Sequence, residues 1–132
     1  MIGILDVSGA MEILWEKDKS KKFYRVLHEV SYLSAPDLYV PELTNTLWKI
    51  HKAKNLTNEE CVSLIQEGIK LVDKFIDCKD IWQEAFSAGL ITKHSVYDMF
   101  YMVAARRSGG ILITSDSVLA AVCKKNNVEV CF

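Results

Sequence analysis

Met1-Ile2-Gly3-Ile4-Leu5-Asp6 is an apolar run with no polar alternation, closed by a carboxylate. A strand with one wet face alternates; an unbroken apolar run suits a strand covered on both faces of a parallel sheet. Asp6 then stands at the strand's carboxyl end, the edge of an open α/β sheet where ligands bind. Ile111-Leu112-Ile113-Thr114 repeats the arrangement. Gly109-Gly110 breaks the chain before it, and Ser115-Asp116 can cap the following helix. Two acids are thus expected on one sheet edge.

A third acid lies in Val40-Pro41-Glu42-Leu43-Thr44-Asn45-Thr46-Leu47-Trp48. Pro41 suits a first helical turn, where its missing N–H is not needed. Glu42 and Asn45, three apart, share a helix face and can point at one ion or phosphate. The fourth, Asp98, sits in a helix expected from about Ser95 to Arg107. Val96, Met99, Phe100 and Val103 line one face, with Tyr97, Tyr101, Met102, Ala104 and Ala105 around much of the rest. Such a helix is mostly buried, and an unpaired carboxylate taken out of water costs several kcal/mol.

Each acid has an ordinary structural role open to it. Asp6 and Asp116 can be helix N-caps, Glu42 a first-turn acid favoured by the helix dipole, and Asp98 half of an ion pair with Arg106 or Arg107. Taken together they point elsewhere, because the sequence offers no buried-looking cation beside each acid. Several carboxylates in close company repel unless a divalent cation neutralises them. Mg²⁺ and Mn²⁺ take oxygen ligands of this kind.

The ordered set Ile4-Leu5-Asp6-Val7-Ser8, Pro41-Glu42-Leu43-Thr44-Asn45, Ser95-Val96-Tyr97-Asp98-Met99-Phe100-Tyr101-Met102-Val103-Ala104 and Leu112-Ile113-Thr114-Ser115-Asp116 resembles the PIN domain family, most closely its VapC-like single-domain type. The resemblance covers nearly the whole chain and rests on the order and spacing of the motifs. It implies one PIN-like domain over residues 1–132 and a Mg²⁺- or Mn²⁺-dependent endoribonuclease acting on RNA. Asp6, Glu42, Asp98 and Asp116 match the family's acidic metal-site positions, and Ser8, Asn45 and Thr114 its supporting polar positions. It further implies a toxin held by a cognate antitoxin, and a homodimer. The chain departs from the pattern where some members carry a further acid after the last motif Asp; here Ser117-Val118-Leu119 follows.

Water would be the nucleophile in such a reaction, with the cation polarising a phosphoryl oxygen. Other classes fit less well. A response-regulator receiver needs a phospho-accepting Asp at the end of a central third strand, where Asp77 is the candidate, and a paired acid where Val7 stands. An aspartyl phosphatase expects an acid where Ser8 stands. A PIN-like scaffold that cuts poorly and acts by docking RNA or protein is the alternative that metal-dependent turnover would separate.

Half of the 132 residues are hydrophobic, enough for a sizeable core without disulfide or metal staples. The net charge of −1 gives weak general attraction to nucleic acid. Local clusters would have to supply it: Lys17, Lys19, Lys21, Lys22 and Arg25; Lys49, Lys52 and Lys54; Arg106 and Arg107. Charge runs of this kind usually just face water. Cys61, Cys78, Cys123 and Cys131 form no C-x-x-C pair and read as reduced core thiols. His28, His51 and His94 show no zinc spacing. His94, just ahead of the Asp98 helix, reads as solvent-facing rather than as part of the site. Trp15, Phe23, Tyr24, Tyr32 and Trp48 are expected to pack internally. No signal segment opens the chain and no apolar run reaches membrane-spanning length, so a cytoplasmic protein is expected.

The periodicities predict strand 2–6, helices from about 8 to 16 and 20–32, a short strand near 38–40 and helix 42–53. Asn55 and Thr57 break and restart the chain, and Thr57 with Glu60 resembles a capping box opening a helix to about Val72. Phe75-Ile76-Asp77-Cys78 reads as a third central strand. Helix 80–89, stopping at Gly89, precedes the Asp98 helix; strand 111–114, helix 116–126 and strand 128–131 follow. This alternation predicts an α/β fold, a three-layer α/β/α sandwich with a mainly parallel central sheet.

Overall fold

The computed structural model describes all residues but Asn55, and all side chains but those of Lys54 and Asn55. The expected break at Asn55 and the contribution of Lys54 to a basic cluster lie outside these. The order is β1 (Gly3–Leu5), α1 (Val7–Leu14), α2 (Ser20–Glu29), β2 (Leu33–Pro36), α3 (Tyr39–Lys54), α4 (Asn58–Lys70) and β3 (Lys74–Ile76). A 3-10 turn at Cys78–Asp80 leads to α5 (Trp82–Thr92), α6 (Val96–Ser108), β4 (Ile111–Ile113), α7 (Ser117–Lys125) and β5 (Glu129–Cys131).

The strands form one parallel sheet in the order β3-β2-β1-β4-β5. Gly3, Ile4 and Leu5 of β1 pair with Ile111, Leu112 and Ile113 of β4, so the two apolar runs lie side by side at the sheet's centre. Both are wholly buried. The chain winds outward from β1 through β2 to β3, then returns to add β4 and β5 on the other side. The strand order therefore reverses between β1 and β4, where a crevice opens beyond the carboxyl ends of the strands.

Alternation within the central strands divides the core into two layers. Leu5, Ile111 and Ile113 pack with Met11, Phe23, Tyr39, Leu43 and Leu47 from α1, α2 and α3. Ile4 and Leu112 pack on the other face with Ala85, Met99, Met102, Val103, Leu119 and Cys123 from α5, α6 and α7. This is the expected α/β/α sandwich. The capping box is present: Thr57 Oγ1 accepts the Glu60 N–H at 3.1 Å, and Glu60 Oε1 accepts the Thr57 N–H at 3.2 Å. All four cysteines are free, three buried and Cys78 partly so.

Several expectations are corrected. The strand placed near 38–40 is Leu33–Pro36, and Tyr39-Val40 already belongs to α3. Leu33-Ser34-Ala35-Pro36 carries a weak strand signal of its own; it is buried throughout and held between β1 and β3. β3 is an edge strand, with Phe75 38% exposed, rather than a central one. The helix expected to stop at Gly89 continues to Thr92 and ends where Lys93 turns left-handed at φ 57°. Tyr24 and Trp48 are exposed, whereas Phe23 is fully buried. Among the described residues no helix is long and apolar enough to cross a membrane.

Candidate functional site

Asp6 leaves β1 and serves at once as the N-cap of α1, its Oδ1 accepting the Gly9 N–H at 2.8 Å. Gly9 is where α1 meets the sheet. A Cβ there would stand 2.6 Å from the Ile113 carbonyl oxygen, so a larger residue would push the helix and its cap away from β4. This close approach brings Asp6 to Thr114. Thr114 Oγ1 donates to Asp6 Oδ2, and Ser8 Oγ donates to Asp6 Oδ1 at 2.7 Å. With both hydroxyl protons committed, each oxygen accepts an amide. Ser8 Oγ takes the Ser115 N–H at 2.8 Å and Thr114 Oγ1 the Asp116 N–H at 3.0 Å. The expected supporting residues Ser8 and Thr114 thus lock the ends of β1 and β4 together.

Asp116 caps α7, its Oδ1 accepting the amides of Val118 at 2.9 Å and Leu119 at 3.1 Å. Glu42 lies in the first turn of α3 and receives the Tyr101 hydroxyl on Oε1 at 2.7 Å, tying α3 to α6 across the cleft. Asp98 lies in the first turn of α6 rather than deep within it. The structure leaves it half-buried beside exposed Val96 and Tyr97. Its partner is neither Arg106 nor Arg107, which pair with Glu84 at 3.3 and 3.5 Å. His94 is the partner instead, with Nε2 3.0 Å from Asp98 Oδ2.

All four acids line one cleft of about 260 Å³, with Val7, Ser8, Met11, Thr46 and Tyr101 completing its wall. Asn45 is exposed on α3 and does not line it; Thr46, one step round the helix, does. Among the described residues, none of the basic ones singled out in the sequence lines it either. Lys19 lies over the Phe132 ring and Lys22 bonds the Phe132 carbonyl oxygen, while Lys52 lies over Trp48.

The electrostatics show a negative cluster short of counter-charge. Burial pushes Asp6 from 3.8 up to about 6, against the lowering effect of its bonds from Thr114, Gly9 and Ser8, and the Asp116 charge adds to the rise. Burial also raises Glu42, opposed by the Tyr101 hydroxyl and reinforced by the Asp98 charge. Asp98 is raised by burial, lowered by the His94 hydrogen bond, and raised again by the Asp116 charge. Repulsion therefore links all four acids. Among the described residues no lysine or arginine makes an ion pair with any of them.

Tyr101 and His94 are the residues that sequence reasoning missed. Spacing was the available signal for Tyr101, three positions from Asp98 on one face of α6; His94 lies before the helix, where its four-residue separation from Asp98 is no more than a hint.

An all-oxygen set of carboxylates suits a hard divalent cation. Among the described residues no group of three or more His, Cys, Asp or Glu side chains is placed to hold a metal ion. A cleft wall of separate carboxylates still fits Mg²⁺, which typically binds through one or two carboxylates and keeps several waters.

No protein-family model matches the chain. It is similar to Ribonuclease VapC3 of Pyrobaculum aerophilum, at 26% identity over 119 residues, 89% of this chain and 91% of that protein. In three dimensions it is similar to the crystal structure of PAE2754 from Pyrobaculum aerophilum. There the TM-score is 0.74 at 20% identity, over 92% of this chain and 84% of that one. It is also similar to VapBC2 from Rickettsia felis, solved with a DNA fragment from its promoter. That match has a TM-score of 0.69 at 14% identity, over 99% of this chain and 98% of that one. The chain therefore has the PIN-like α/β/α fold and is related, at moderate identity, to VapC-type proteins.

Proposed function

We propose that this chain is a Mg²⁺- or Mn²⁺-dependent endoribonuclease, a single PIN-like domain that hydrolyses RNA phosphodiester bonds in the cytoplasm. The observation that carries the reading is the gathering of Asp6, Glu42, Asp98 and Asp116 in one cleft at the switch point of a parallel sheet. Similarity to Ribonuclease VapC3 supports the same reaction class.

Bound among these carboxylates, a divalent cation would polarise a phosphoryl oxygen and lower the pKa of a bound water. The chain's residues supply the setting. Ser8, Thr114 and the Gly9 amide hold Asp6 in one orientation, and Tyr101 holds Glu42, so neither acid has to reorganise when charge develops. Val7 and Met11 give the cleft an apolar wall that limits the water around the reacting group. Water is the attacking group, and no Ser, Cys or His nucleophile is required.

The similarity to VapC3 and VapBC2 is in line with a toxin role and a cognate antitoxin as partner; a homodimer as the working form is what the resemblance in sequence implies. The test is incubation of the purified chain with a mixed pool of structured RNAs in Mg²⁺, Mn²⁺ or EDTA, beside Asp98→Asn. Cuts that require metal and vanish in the variant are expected. A folded protein that cuts with neither ion would favour the docking-module reading or an extremely selective enzyme; with a net charge of −1 and, among the described residues, no Lys or Arg lining the cleft, such a module would suit a protein partner better than RNA.

A further inference from the structure

The setting of Asp98 depends on the connection that precedes its helix. His94 Nε2 lies 3.0 Å from Asp98 Oδ2, with the imidazole 16% and the carboxylate 29% exposed. The ring reaches over the first turn of α6 from outside it, and the chain around it is held in place. Lys93 adopts the left-handed conformation at φ 57°. Thr92 Oγ1 donates to the Ala88 carbonyl at 2.7 Å and accepts the His94 N–H at 3.3 Å. Gly89 lets α6 close on α5, since a Cβ there would stand 2.8 Å from Val96 Cγ2 and 3.4 Å from the His94 carbonyl oxygen. Among the described residues, Asp98 is the one side chain the ring bonds.

We infer that His94 is a positioning residue for the cation site: its Nε2 donates to Asp98 Oδ2, fixing the carboxylate and leaving Oδ1 for the cation. The inference rests on the metal-dependent reading above. Asp98 lines the cleft and His94 does not, so the ring acts from behind the carboxylate rather than on substrate. Two other acids are already served in this way, Asp6 by Ser8, Gly9 and Thr114, and Glu42 by Tyr101. His94 supplies the same service to the third. A donor that orients a ligating carboxylate affects metal affinity, whereas a simple tie across the helix start would affect only stability.

The experiment is Mn²⁺ binding to the full chain by calorimetry, with melting temperature recorded for each protein: wild type, His94→Gln, His94→Asn and Asp98→Asn. The Gln amide nitrogen reaches the place of Nε2; the shorter Asn side chain does not. Loss of an orienting partner typically weakens metal affinity about 10–100-fold, so His94→Asn should bind Mn²⁺ at least about tenfold more weakly, and His94→Gln within about threefold of wild type. The two variants should melt within a few degrees of each other. Wild-type affinity in His94→Asn, or binding by His94→Gln as weak as by His94→Asn, overturns the inference. If Asp98→Asn loses binding while His94→Asn keeps it, only the role of His94 falls. If wild type binds no Mn²⁺, or Asp98→Asn binds as tightly as wild type, the assignment of Asp98 to a cation site fails and the inference with it.

Discussion

Helix α6 handles charge differently at its two ends. At the C-terminal end Arg106 and Arg107 meet Glu84 at 3.3 and 3.5 Å, and Arg107 Nη1 donates to the Asp80 carbonyl at 3.3 Å, all on the open surface. At the N-terminal end Asp98 faces a cleft that holds three more carboxylates, with His94 as its protein partner. Both ends satisfy the helix dipole, acid at the start and base at the finish. They differ in balance. Exposed pairs such as those to Glu84 are each worth about 0–1 kcal/mol, and the positive charge that two arginines leave over on one carboxylate faces water. The cleft concentrates like charge in a half-buried place, and three of its acids have raised pKa values as a result. Capping and the helix dipole account for each acid singly, and the proposed cation would account for their being gathered in one cleft.

The largest expected contrast is in activity. Asp98→Asn, which keeps the size and a hydrogen-bonding amide, should lower RNA cleavage by about a thousandfold or more, while Arg107→Gln at the other end of the helix stays within about twofold. Circular dichroism should show both variants folded. Equal losses in the two would erase the functional distinction between the ends.

The next effect is on stability and its pH dependence. Asp6 has a folded pKa of about 6 against 3.8 unfolded, so the folded chain holds this proton more tightly. The stability that goes with it is fully present below about pH 3.8 and is lost as pH rises through about 6. In metal-free protein the loss attributable to Asp6 amounts to about 3 kcal/mol by neutral pH. Asp6→Asn keeps the cap on Gly9 and has no such loss. Urea titrations in EDTA should show the variant gaining on wild type between about pH 4 and 7, even as it loses activity. A constant difference across that range would mean that Asp6 bears no unfavourable charge.

Gly9→Ala tests the geometry that creates the cluster. Its Cβ would press on the Ile113 carbonyl oxygen, and forced shifts in well-packed regions cost about 1–3 kcal/mol, readable by urea titration. The smallest effect belongs to the solvent-exposed end. Glu84→Gln should change stability by less than about 1 kcal/mol, with the remainder screened further by salt.

How much of this was legible in the sequence follows from how local each signal is. β1 and β4 announce themselves, because apolar runs ending in Asp6 and in Thr114-Ser115-Asp116 need no partner to be read. The ordinary roles considered for Asp6 and Asp116 are also real: both cap helices, and the capping is what aims them at the cleft. β2 is not legible locally, because Leu33-Ser34-Ala35-Pro36 is a strand by virtue of its neighbours, not its composition. Tyr101 reads in the sequence as one more apolar residue of its helix, since its bond to Glu42 joins residues 59 positions apart. Asn45 and Thr46 are adjacent on α3, and only the helix's actual rotation shows which of them lines the cleft.

The central claim is that the unbalanced carboxylate end is a cation site. Its most direct test is the melting temperature of wild type and Asp98→Asn in EDTA and in a Mn²⁺ series, at about pH 5 and about pH 7.5. A ligand that binds only the folded state stabilises by RT ln(1 + [L]/Kd), about 2.7 kcal/mol at a hundredfold excess over Kd. The account predicts a concentration-dependent rise for wild type, larger at the higher pH where the acids are ionised, and little or none for Asp98→Asn. A wild-type melting temperature indifferent to Mn²⁺, or the same rise in both proteins, would contradict it.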